Sequence, residues 1–292
     1  PFLVHILNYY VNFGVKTLCL FLFIYIFSSV LFAEDGPVYH VPIHGTIDMG
    51  LPHYIQRVVN EAEKNNANVI IFDIDTFGGR VDAATQIKDI ILDSKVTTIA
   101  FVNKRAISAG ALIALSCDSI FMTPGASIGA ATAVDLQGNK ASEKVISYMR
   151  EEMASTAEAN NRSRGVATAM VDEELSIDFL LNMQGDTLTA KDVEGFAEGK
   201  LITLSTQLAV QLGIAGGEFE RIEDVLKYLE LENVEQKNTE ESWSEKLVRF
   251  LTNPVVAPLF MSLGMLGLFM EIKSPGFGIP GIVGLTCLAL FF

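Results

Sequence analysis

Three observations on this chain of 292 residues predict an α/β fold built on a parallel sheet. Between Val38 and about Leu229, β-type runs alternate with helical stripes. The helical stretches are long enough to act as crossovers, which parallel neighbours need and antiparallel ones do not. Glycine-containing turns, above all Phe77-Gly78-Gly79, mark the passage from strand to helix.

Val38–His44 reads as a short first strand. Pro52–Lys64 follows with Tyr54, Ile55, Val58, Val59 and Ala62 at helical spacing. Val69-Ile70-Ile71-Phe72-Asp73-Ile74 is a buried-strand run that ends in the Phe77-Gly78-Gly79 turn. Val81–Leu92 is helical again, with Ala84, Ile87, Ile90 and Ile91 on one side. Val96–Val102 is the next strand, then the Ser108 segment, then a strand at Ser119–Met122. Residues 123–140, rich in small and polar types, are expected to be a loop. Ser142–Asn160 reads as a long helix with Val145, Ile146, Met149 and Met153 facing inward, and Lys200–Leu229 as a closing αβ pattern. Residues 230–246 are polar and acidic, so 230–252 is expected to be a linker. There is no internal repeat.

The two ends are apolar. Residues 17–33 form an uncharged run after Lys16, and Ala33 precedes Glu34-Asp35-Gly36-Pro37. Residues 1–33 therefore read as a secretory signal cleaved after Ala33 or, because Leu31 suits cleavage poorly, as an uncleaved anchor. Lys16 on the cytoplasmic side would place residues 38–245 outside the cytoplasm. At the other end, Val255–Met270 and Phe277–Phe292 are uncharged, separated by Glu271-Ile272-Lys273-Ser274-Pro275-Gly276. Each run is slightly short of the about 20 residues of a full span. Two tilted spans or a re-entrant pair fit residues 253–292; a buried hairpin of a soluble core fits less well. Starting at Pro1 and ending in an uncharged run, the chain is expected to be cut at both ends.

A net charge of −14 argues against a nucleic-acid partner and against polybasic attachment to anionic lipid. Cys19 and Cys287 fall in the apolar ends, leaving Cys117 alone between them, so the body holds neither a disulfide nor a paired-cysteine zinc site. No Gly-x-Gly-x-x-Gly or phosphate-loop lysine is present, and no metal or organic cofactor is expected.

Chemistry is most concentrated at Ala106-Ile107-Ser108-Ala109-Gly110-Ala111. A serine framed by small residues ahead of an apolar run fits a nucleophile on a tight turn that opens a helix, whose first N–H groups can hold an oxyanion. It equally fits a plain helix N-cap. All four histidines, His5, His40, His44 and His53, lie upstream, so a downstream base would have to be lysine. Gly78-Gly79 ends one strand-to-helix passage and Ser108 the next. Neighbouring crossovers of that kind can bring the Gly79 and Ala109 N–H groups to one point, forming an oxyanion hole.

Four segments occur in order: Asp73-Ile74-Asp75-Thr76-Phe77-Gly78-Gly79-Arg80-Val81, Ser108-Ala109-Gly110-Ala111, Pro124-Gly125-Ala126-Ser127-Ile128-Gly129 and Ser142-Glu143-Lys144-Val145. Together they resemble the NfeD-type membrane-bound serine proteases of the ClpP class. The membrane run, from Asn253-Pro254-Val255 to Gly276-Phe277-Gly278, resembles the same family. The resemblance implies ClpP/crotonase-like repeated ββα units over 34–229, followed by a membrane helical segment. It implies Ser108 as nucleophile, Lys144 as base, a tendency to form homo-oligomers, and a stomatin-like membrane protein as substrate or partner. Phe77 stands where many relatives have proline, and within these 292 residues no small β-barrel domain is visible after the membrane run, as expected of a chain cut at its end.

A lysine base must be neutral, which burial promotes; the helix start at Lys144, near Val145, Ile146 and Tyr148, offers apolar surroundings. Lys144 could instead pair with Glu143 or Glu151 on a wet face. Lys140 is the competing base. Asp118, Asp135 and Ser127 could orient the lysine, and each also suits a structural task. A substrate would lie extended near Gly78–Arg80 by β-augmentation. The expectation is a membrane-anchored serine endopeptidase acting on apolar, membrane-proximal peptides. The alternatives are a non-catalytic scaffold for a stomatin-like protein and, less compatible with export, a crotonase-type acyl-thioester enzyme.

Overall fold

The computed structural model describes residues 36–135, 138–253, 256–273 and 278–291. The expected signal or anchor, 1–33, and the Ser274–Phe277 part of the membrane run lie outside them.

Three long strands form the centre: β1 (Val38–Ile47), β2 (Val69–Gly79) and β3 (Thr97–Ile107). They pair in parallel through two crossover helices, α1 (Leu51–Lys64) and α2 (Val81–Leu92). Their alternate residues serve two cores. Tyr39, Val41 and Ile43 of β1 and Ile70, Phe72 and Ile74 of β2 meet α1 and α2 in the main core. Val38, Val69, Ile71, Ile99 and Phe101 face a smaller apolar cluster on the other side.

The register of β1 against β2 slips between His44 and Thr46, and that of β2 against β3 between Ile74 and Asp75. Beyond these bulges β3 changes partner. Its first half, from Ile99 to Val102, pairs with β4 (Ser119–Met122). Its second half, Arg105 to Ile107, pairs with β5 (Ser127–Gly129). Bulges bend strands and raise local twist. Here they precede the ends of β2 and β3, which come together at Gly78 and Ser108, where α3 (Ala109–Ser116) starts.

The loop expected at 123–140 therefore contains a strand. Ser127-Ile128-Gly129 is too short to show a period, and its pairing is set by β3 on one side and by the antiparallel β8 (Thr203–Ser205) on the other. The long helix α4 (Glu143–Ala159) buries Ile146, Met149 and Met153 as expected, but Val145 is exposed, because the first turn projects past the core. α5 (Arg164–Ala169), a small hairpin of β6 (Leu180–Leu181) and β7 (Thr187–Leu188), α6 (Thr206–Gln211), β9 (Gly217–Glu218) and α7 (Ile222–Tyr228) complete the body.

The stretch expected to be a linker is structured. Gln236–Asn238, β10, pairs in parallel with Val38–His40 at the edge of the sheet. Helix α8 (Trp243–Leu251) then starts in a capping box between Ser242 and Glu245. Polarity predicted a linker because an edge strand with solvent beside it need not be apolar.

Two apolar helices close the described chain, α9 (Val256–Lys273) and α10 (Ile279–Phe291). They pack where glycines permit close approach: a Cβ on Gly267 would lie 2.6 Å from the Pro280 carbonyl oxygen, and one on Gly284 2.9 Å from that of Gly264. Most of their large side chains, among them Leu259, Leu263, Phe269 and Ile282, face outward, as on a helix pair made for lipid and not for a soluble core.

Candidate active site

Ser108 occupies the N-cap position of α3, but its hydroxyl caps nothing. Its backbone stands at φ 56 and ψ −119, a region that L-residues avoid. Three contacts hold it there. Its N–H donates to the Gly129 carbonyl at 2.9 Å. Its carbonyl accepts from Ala111 at 2.9 Å inside α3. Gly78 presses against its side: a Cβ there would sit 2.7 Å from the Ser108 Cβ and 3.1 Å from Oγ. Gly78 itself has φ +105, so glycine is required for conformation as well as for space.

The amides around Ser108 are arranged unevenly. Arg80 N–H donates to the Ile47 carbonyl at 2.8 Å. In a parallel ladder, successive amides alternate sides, so the Gly79 N–H points away from β1. On that far side, β2 and β3 pair only as far as Thr76 and Ala106. Gly79 can have no side chain, because a Cβ would fall 2.2 Å from the Ile47 carbonyl oxygen. Ala109, the first residue of α3, has no intrahelical acceptor for its N–H. These are the two amides picked out from sequence.

Thr76 is a residue that sequence reasoning quoted without giving it a task. Its buried hydroxyl donates to the Gly45 carbonyl at 2.5 Å and accepts from Gly78 N–H at 2.9 Å, which fixes the turn before Gly79. Its methyl explains Gly110, where a Cβ would lie 2.4 Å from Thr76 Cγ2. The run of small residues after Ser108 thus lets α3 sit directly on the end of β2.

Lys144 lies in the first turn of α4, exposed. The apolar enclosure expected for it is absent from the single chain, since Val145 and Tyr148 are exposed too. Among the described residues, Lys144 makes no hydrogen bond or ion pair with Ser108. Nor does it pair with the two carboxylates considered from sequence: Glu143 binds Arg150 at 3.3 Å and Glu151 binds Arg164 at 2.6 Å.

Its position follows from the helix beside it. Tyr148 donates to Thr85 Oγ1 at 3.4 Å and Lys88 binds Glu152 at 2.7 Å, so α2 and α4 run side by side in the same direction. One turn before Tyr148 on α4 is Lys144, and one turn before Thr85 on α2 is Val81, two residues after Gly79. An open groove of about 470 Å³ lies between, lined by Arg80, Val81, Asp82, Thr85 and Tyr148. Arg80 is held along its rim by Asp82, with bonds of 2.9 and 2.6 Å.

The other candidates are occupied. Lys140 binds Glu173 at 3.1 Å and Glu174 at 3.7 Å, and the bond to Glu173 raises its pKa, the wrong direction for a base. Asp118 accepts from the Thr98 N–H and hydroxyl at 2.7 and 2.8 Å, tying β3 to β4. Asp135 accepts from Asn139 N–H at 2.9 Å in a turn. Ser127 opens β5. No group of three or more His, Cys, Asp or Glu side chains able to hold a metal occurs among the described residues.

Comparison with known proteins matches the same segments. A model described as the N-terminal domain of NfeD1b matches residues 37–239, and one described as the NfeD integral membrane domain matches 255–292. Membrane protein NfeD1b of Bacillus subtilis is 39% identical over 89% of this chain and 56% of its own length. Membrane-bound protease PH1510 of Pyrococcus horikoshii is 28% identical over 94% of this chain and 62% of its own length. The chain thus spans little more than half the length of these relatives. Two solved structures of the 1510-N membrane-bound stomatin-specific protease resemble the fold. A lysine-to-alanine mutant in complex with a substrate peptide aligns at TM-score 0.59 and 26% identity, covering 76% of this chain and 99% of that one. A serine-to-alanine mutant aligns at 0.57 and 25%, covering 72% and 100%.

Proposed function

The chain belongs to the NfeD family, and from that footing we propose that it is a membrane-anchored serine endopeptidase with Ser108 as nucleophile and Lys144 as base. One observation carries the reading: a serine held at strained φ and ψ whose hydroxyl, among the described residues, bonds to no neighbour, at the start of a helix whose first amide has no intrahelical acceptor. Backbone strain of that kind costs on the order of 1–3 kcal/mol and persists where surrounding structure enforces it. A capping serine needs no such strain.

In the proposed reaction Ser108 Oγ attacks the peptide carbonyl carbon and its proton passes to the neutral Lys144 amine. The Gly79 and Ala109 N–H groups hold the oxyanion. The ammonium then protonates the leaving amine, and water releases the acyl group from Ser108. No metal or cofactor enters. The peptide lies extended along Gly78–Arg80 and the groove beside Tyr148. Lys144 is brought to Ser108 by what covers the first turn of α4, a bound peptide or a second copy, and that cover also supplies the burial that a neutral lysine needs. Apolar, membrane-proximal segments of a stomatin-like protein are the proposed substrates, since a relative is stomatin-specific. The body is proposed to lie on the extracytoplasmic side.

The exposure of Lys144 and the lack, among the described residues, of a bond between it and Ser108 also favour a second reading, a scaffold that binds a stomatin-like partner without cleaving it. Labelling by a fluorophosphonate probe separates the two. Wild type should label, Ser108→Ala should not, Lys144→Ala should lose most labelling and Lys140→Ala should keep it. An unlabelled, folded wild type would leave the scaffold as the better account.

A further inference from the structure

Helix α8 has two unlike faces. On one, Glu245 receives the Arg57 guanidinium in two bonds of 2.8 and 2.9 Å. Arg249 donates to Asp48 Oδ2 at 2.8 Å, to the Thr46 carbonyl at 2.9 Å and to Glu241. The fit is close: a Cβ on Gly50 would lie 3.0 Å from the Arg249 backbone nitrogen. This face is committed to α1 and to the turn after β1.

The opposite face carries Trp243, Leu247 and Phe250, at i, i+4 and i+7, all exposed, with Trp243 79% accessible. A tryptophan so open on a well-anchored helix is unusual, because its large apolar surface rarely stays in water. The stripe does not stop at the end of the helix. The Phe250 ring meets Phe260 of α9 edge-on, with centroids 6.4 Å apart. α9 begins five residues after α8 ends, within the segment that matches an integral membrane domain. Lys246 flanks the stripe.

We propose that α8 lies in the bilayer surface, with Trp243, Leu247 and Phe250 seated in the headgroup–acyl boundary. Continuity with the membrane helix selects lipid as the occupant: five residues reach at most about 18 Å even when extended, so α8 cannot leave the neighbourhood of the interface. Aromatic residues and an amphipathic helix belong at that depth. Held by lipid on one face and by Arg57, Asp48 and Glu241 on the other, α8 would fix how the body sits on the membrane.

Trp243 is the chain's single tryptophan, so its fluorescence reports on this helix alone. The full chain would be reconstituted in phosphatidylcholine vesicles carrying lipids brominated either near the headgroup or at mid-chain. Expected are a blue-shifted emission and stronger quenching by the shallow bromine than by the deep one. In Leu247→Glu and Phe250→Glu, which the α9–α10 hairpin still retains in the vesicle, the emission should move red and the quenching weaken at unchanged thermal stability. Water-like emission in the wild type would overturn the proposal. So would a blue shift that bromolipid does not quench and that fades as lipid is added in excess, because that pattern means a second copy covers the stripe.

Discussion

Replacing Ser108 by glycine should make the protein more stable than replacing it by alanine, although both remove the same hydroxyl. At φ 56 and ψ −119, alanine keeps the Cβ conflict and glycine abolishes it. Relief of the strain is worth about 1–3 kcal/mol. Against it stands the extra freedom of glycine in the unfolded chain, about 0.5–1 kcal/mol. The balance lies between about 0 and 2.5 kcal/mol in favour of glycine, centred near 1 kcal/mol or roughly 2–4 °C in melting temperature for a body of this size. Thermal unfolding of both variants in one detergent, followed by far-ultraviolet circular dichroism, measures the difference. An alanine variant more stable than the glycine variant would refute the claim that the fold forces strain on this residue. Neither variant should label with fluorophosphonate, so stability and reactivity are read independently.

Three further outcomes are expected. Gly79→Ala should lose labelling and destabilise the protein by about 1–3 kcal/mol, since the new methyl meets the Ile47 backbone; a stable and reactive variant would remove Gly79 from the site. Peptidase activity should climb from neutral to alkaline pH, because only the neutral form of a lysine accepts the serine proton; a flat profile that survives Lys144→Met would defeat the lysine mechanism. The third outcome concerns α8. The Arg57 guanidinium holds the Glu245 carboxyl down to about 2 from 4.5. A depressed carboxyl stabilises above its unfolded value and loses that contribution as pH falls through the folded one. The difference sets an upper limit of about 3 kcal/mol, and the 42% exposure of Arg57 reduces it to about 1–2 kcal/mol. The anchoring of α8 should therefore weaken between about pH 4.5 and 2, seen as a loss of amide-exchange protection relative to the intrinsic rate at each pH, and Glu245→Gln should remove that part of the pH dependence.

The sequence displayed those features whose cause is local. The crossover helices α1 and α2 show their apolar spacing, and β2 its unbroken buried run. β5 and β10 escaped notice because Ser127-Ile128-Gly129, with a single strand-favouring residue, and Gln236-Lys237-Asn238, with none, are too short and polar to show a pattern; β3 and β1 supply the edges on which they pair. The same division runs through the site. Ser108, its small neighbours and the glycine pair could be picked out as motifs. The strain on Ser108 and the bond of the Thr76 hydroxyl to Gly45 could not, since both arise between segments far apart in the chain. Lys144 was legible as a residue type, whereas its exposure depends on how far α4 projects past the core.

The pairing of β10 with β1 also sets a clock. Val38 meets Gln236, so the outer edge of β1 waits until about two hundred further residues have been made. At about 5–20 residues per second, that is roughly 10–40 s during which the edge can pair with any strand it encounters. β10 ends 18 residues before α9 begins, so the last strand of the sheet and the first of the two apolar helices follow one another closely in synthesis. A pause late enough for Gln236–Asn238 to have left the ribosomal exit tunnel would give the edge time to pair; an earlier pause would leave it open.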